Sequence, residues 1–85
     1  MVIRDELRKI LNIIADKTES NPSSSVIDSA VIRESGLPES EARKYINELG
    51  ALGLITVGIK VSGADFRMLS ITKEGIKELQ NQEDR

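Results

Sequence analysis

Residues 37–55 read LPESEARKYINELGALGLI, and the rest of the chain is arranged around them. Gly36 breaks the preceding segment, and Pro38 suits a first helical turn, where its missing N–H has no intrahelical partner. Glu39 and Glu41 put negative charge near the positive end of the helix dipole. Gly50 and Gly53 close the segment with residues that tolerate a left-handed backbone. At about 100° per residue, Ala42, Tyr45, Ile46 and Leu49 share one stripe. The opposite arc carries Ser40, Arg43, Lys44 and Asn47, with Glu39, Glu41 and Glu48 on its flanks. The spacing predicts a helix over 37–49. One side is anchored, and the outward side shows hydrogen-bond donors and two cations without an acid.

Upstream, Ile3, Leu7, Ile10 and Ile14 line one face of a helix predicted over 3–17. Leu11 widens that stripe on one side, and Val2 and Ile13 on the other, so that the apolar arc covers about 180°, more than one core requires. An aliphatic core wrapping the helix explains this; so does a second subunit meeting Val2 and Ile13. Residues 18–25 (TESNPSSS) form a loop by composition, with Asn-Pro turn chemistry and then serines. Val26 and Ile27 can make a very short strand. Asp28 or Ser29 can cap a helix over 30–35.

Downstream, residues 54–61 alternate, with Ile55, Val57, Ile59 and Val61 on one side. Residues 62–65 turn the chain, and 66–71 return as a second strand. A two-residue turn at Gly63-Ala64 sets Val61 opposite Phe66 and Lys60 opposite Arg67. A loop of odd length instead buries Leu69 and Ile71, and both registers remain open. Phe66 is expected in the core of this hairpin. Thr72 is an N-cap for a last helix over 73–80, with Ile76 and Leu79 inward and Gly75 weakening it. Residues 81–85 read as a frayed tail.

The 85 residues make one domain, 1–85, with a modest aliphatic core: 39% of the chain is hydrophobic, and Tyr45 and Phe66 are its aromatics. Without cysteine or histidine the chain lacks disulfides, thiolate zinc sites and the usual general base. Acid pairs such as Asp5-Glu6 and Glu83-Asp84 have no partner base, and read as solvated charge. The expectation is a non-enzyme without cofactor or metal. Charged residues interrupt the start at Arg4, and no apolar run approaches a membrane span, so a cytoplasmic location is expected. The net charge of −2 weighs against strong polyanion binding by a single copy.

The order of helix, helix-turn-helix, hairpin and helix resembles a winged helix domain, an α+β fold that is mostly α. Two stretches carry the resemblance: the join Tyr45-Ile46-Asn47-Glu48-Leu49-Gly50-Ala51-Leu52-Gly53-Leu54-Ile55, and the turn Leu69-Ser70-Ile71-Thr72-Lys73-Glu74-Gly75. The latter is similar to the strand-to-helix turn of MarR- and PadR-like transcription regulators. The resemblance implies that the helix 37–49 enters the major groove of double-stranded DNA and that the hairpin 54–71 lies along the phosphates or the minor groove. Carried over by position, the DNA-binding residues are Ser40, Arg43, Lys44 and Asn47 on the helix, and Lys60 and Arg67 on the wing. Arg43 then suits a guanine edge and Asn47 an adenine edge, while Lys44 and Ser40 suit phosphates. A homodimer through Val2 and Ile13 of the first helix, with the last helix as a second candidate surface, would engage two half-sites. The alternative is a winged helix serving as a protein-interaction module in a larger replication or transcription assembly.

Overall fold

The computed structural model describes residues 3–58 and 66–83. Its elements run α1 (Asp5–Lys17), β1 (Val26–Ile27), α2 (Asp28–Ser35), α3 (Glu39–Ala51), β2 (Ile55–Val57), β3 (Met68–Ile71) and α4 (Lys73–Glu83). The three strands form one antiparallel sheet in the order β1-β3-β2. This is a mostly helical α+β architecture, compatible with a winged helix.

The expected stripe of α1 is the centre of the core. Leu7, Ile10, Leu11 and Ile14 are buried, and α1 packs against α2, α3, α4 and β3. Ile13 is half-buried and packs against this same core, while Val2 lies outside the described residues. At the end of α1 the Ser20 amide reaches the Ala15 carbonyl at 2.8 Å and the Glu19 amide reaches the Asp16 carbonyl at 3.2 Å. These are the two bonds of a Schellman ending. Its left-handed position is filled by Glu19, at φ 54°. α3 ends in the same way, with Leu54 bonded to Leu49 and Gly53 to Gly50, but there the left-handed residue is Gly53, at φ 77°.

β1 is as short as expected, and it pairs with β3 through Val26 opposite Leu69 and Ile27 opposite Met68. α2 starts at Asp28, earlier than expected, and its first turn has no side-chain cap. The Asp28 carboxylate is used elsewhere, as described below. α2 ends at left-handed Gly36. The Ser35 hydroxyl secures this corner by donating to the Ile32 carbonyl at 2.6 Å and accepting the Leu37 amide at 3.1 Å. α3 follows after Pro38 and buries Ala42, Ile46 and Leu49, the stripe expected of it.

In the hairpin, Ile55 faces Ile71, Thr56 faces Ser70 and Val57 faces Leu69. This is the register of an odd-length loop, with Leu69 and Ile71 buried. The pairing of Val61 with Phe66 and of Lys60 with Arg67 belongs to the other register. Residues 59–65, Lys60 among them, lie outside the described residues. Phe66 is not hairpin core: it is 40% exposed. α4 begins at Thr72, whose hydroxyl accepts the Gly75 amide at 3.1 Å, as an N-cap does. It continues to Glu83, past the tail expected from 81 onward. No helix among the described residues is long and apolar enough to cross a membrane.

Candidate functional site

Burial of Ala42, Ile46 and Leu49 fixes the roll of α3 about its axis. The 3.6-residue period then sends Ser40, Lys44 and Asn47 outward, and all three are exposed. Tyr45 sits half-buried at the edge of the core. The Arg4 guanidinium lies 5.8 Å from the centre of its ring. Nη2 of Arg4 also meets both oxygens of Glu48, at 2.6 and 2.7 Å, so one of the flanking acids of α3 is tied to the start of α1.

Arg43 departs from the expected picture of a free cation on an acid-free face. Its Nη1 donates to Asp28 Oδ2 at 2.9 Å, and its Nε donates to Glu39 Oε2 at 3.0 Å. The Asp28 side chain is 3% exposed, against 41% for Arg43 and 69% for Glu39. Hydrogen bonds to Glu39 and then Asp28 raise the arginine pKa. Asp28 Oδ1 is buried and accepts no hydrogen bond from a described residue. The Asp28–Arg43 pair ties the first residue of α2 to the exposed flank of α3.

The Glu39 contact was readable in the sequence, because a glutamate four residues before an arginine on a helix meets it. The Asp28 contact spans fifteen positions. It depends on how α2 is laid across α3, which no local pattern reveals.

Between α3 and the hairpin runs a cleft of about 460 Å³. Ile46, Val57 and Leu69 give it an apolar lining; Arg43, Asn47 and Arg67 give it donors, and Asp28 and Glu39 add two carboxylates. Arg67 is exposed, and its carbonyl accepts the Asp28 amide at 2.9 Å, which holds the base of the hairpin against the start of α2. Among the described residues neither Lys44 nor Arg67 is paired with a carboxylate. The structure therefore brings Arg43, Asn47 and Arg67 to one cleft and leaves Ser40 and Lys44 on the outer face of α3.

No protein-family model matches the chain, and no curated protein matches it. Among solved structures it is similar to a protein of Ralstonia eutropha JMP134 that is provisionally described as DNA-binding. The TM-score is 0.75 at 22% identity, over 94% of this chain and 96% of the other. At that identity the likeness is one of fold, and it extends over nearly the whole of both chains.

Proposed function

We propose that the protein is a DNA-binding transcription regulator of the cytoplasm, not an enzyme, with α3 in the major groove and the hairpin as its wing. The observation that carries this reading is the exposed row Ser40, Lys44 and Asn47, whose lysine is free of any described acid, beside an equally free Arg67. Lys44 and Arg67 are suited to phosphates, as is the short hydroxyl of Ser40; Asn47 is suited to an adenine edge. Arg43 keeps N–H donors for a base edge, although two of its five are engaged within the protein. Lys60, which lies outside the described residues, belongs to the same proposal. The described fold of the Ralstonia protein, and what is provisionally said of it, support the reading by likeness.

A single copy with a net charge of −2 would hold DNA weakly. A homodimer meeting along the α1 edge near Val2 and Ile13, or through α4, would add a second half-site. Light scattering at high concentration tests this, and a monomer there removes it.

A second reading, a protein-interaction module, is favoured by Arg43 itself, since Asp28 and Glu39 together more than offset its charge. A gel shift with random duplex DNA in low salt separates the two. A shift that Lys44→Ala weakens supports the regulator. No shift, together with capture of a protein partner, supports the module.

A further inference from the structure

We propose that Glu39 and Asp28 are specificity-determining positioning residues, which turn Arg43 toward neutral base edges and away from phosphates. The inference rests on the DNA reading above and deepens it. Arg43 is one cation held by two carboxylates, so the cluster carries a formal net charge of −1. A phosphate approaching it meets a net like charge. The oxygen and nitrogen acceptors of guanine are neutral and are not repelled in this way.

The geometry adds orientation. Asp28 is buried at the head of α2 and grips Nη1 from one element; Glu39, one turn back on α3, grips Nε from another. A guanidinium held at two points on two elements loses less freedom when it donates a third and fourth hydrogen bond. Three of its five N–H donors have no partner among the described residues and are available. Lys44, one position on, has no such restraint among the described residues and supplies the sequence-independent attraction. The two adjacent cations of α3 thus have separate tasks: Lys44 holds any duplex, and Arg43 selects among duplexes.

The test measures binding of the intact chain to a randomised duplex across a potassium chloride series, and sequences the bound fraction. Glu39→Gln is the decisive variant because Glu39 is exposed and the change keeps its shape. The expected result is tighter binding to the unselected pool by about threefold, the effect of removing one unit charge about 6 Å from a phosphate in water. The plot of log affinity against log salt should steepen by about 0.9 as Arg43 gains a phosphate. Enrichment of guanine at one position should fall by about fivefold or more. Arg43→Lys, which keeps the charge and loses the fork, should lose the same enrichment without loss of pool affinity. A purely structural role for Glu39 would move the melting temperature and none of these readouts. If the duplex is bound but Glu39→Gln leaves affinity, slope and enrichment unchanged, the inference is overturned and the DNA reading stands. If no duplex is bound by the unaltered chain at low salt, both fall together.

Discussion

The Thr72 hydroxyl donates a 2.7 Å hydrogen bond to the Gly53 carbonyl and accepts the Gly75 amide at 3.1 Å. The Thr72 amide in turn donates to the Leu54 carbonyl at 3.2 Å. The join after α3 and the turn before α4 are therefore two halves of one contact, which closes the hairpin at its base. Thr72→Val keeps the branched shape and removes the cap and the bond to Gly53. It should cost about 1 kcal/mol, whereas Thr72→Ser should cost less. Urea melts of the two variants check this.

Gly75 lies against the Leu54 carbonyl at the same place. A β-carbon there would collide with the Leu54 oxygen and press on Ile71 Cγ1, so the residue is a glycine because two backbones meet. Helix propensity alone favours Gly75→Ala by about 1 kcal/mol. The clash should win: Gly75→Ala should be destabilising by about 1–3 kcal/mol, the range for overpacked sites. Thermal denaturation gives the sign directly, and a raised melting temperature would show that α4 can move away at little cost.

Glu19 holds at the end of α1 the left-handed position that Gly53 holds at the end of α3. Its side chain is exposed, so little packing is lost with it. Glu19→Gly should stabilise the fold by about 1 kcal/mol, the cost of left-handed backbone for a residue with a β-carbon less the added freedom of the unfolded chain. Denaturant midpoints of the two forms decide it, and a lowered midpoint would contradict the account of this turn.

Removing Arg43 leaves Asp28 buried without a partner on either oxygen. Arg43→Ala should therefore cost about 1–3 kcal/mol, tempered because the arginine is partly solvated. Lys44→Ala, on the exposed face, should fall within about 0.5 kcal/mol of the parent. Equal stabilities for the two variants would mean that the Asp28–Arg43 bridge does not hold α2 to α3.

These residues also show what a sequence can reveal. The roll of α3, the Gly36 break, the Thr72 cap and the core face of α1 follow from periodicity and local hydrogen bonding, and they were legible. Four features were not, three of them because they depend on tertiary placement. The register of β2 against β3 needs the length of the turn. Phe66 reads as core by residue type, yet lies at the open rim of the cleft. The last turn of α4 continues through residues whose composition suggests a frayed end. Asp28 reads as a helix cap, yet its carboxylate is taken by an arginine fifteen residues away. That last contact matters most for the site, because it changes Arg43 from a free cation into an anchored donor.

We propose above all that the outer face of α3 holds duplex DNA through the charge of Lys44, which no carboxylate among the described residues neutralises. Fluorescence anisotropy of a labelled random duplex, titrated with the parent chain and with Lys44→Ala over a salt series, tests it most directly. The account predicts saturable binding at low salt that weakens steeply as salt rises, with the slope smaller by about 0.9 in Lys44→Ala. Binding that is absent at low salt, or that is indifferent to Lys44, would contradict it.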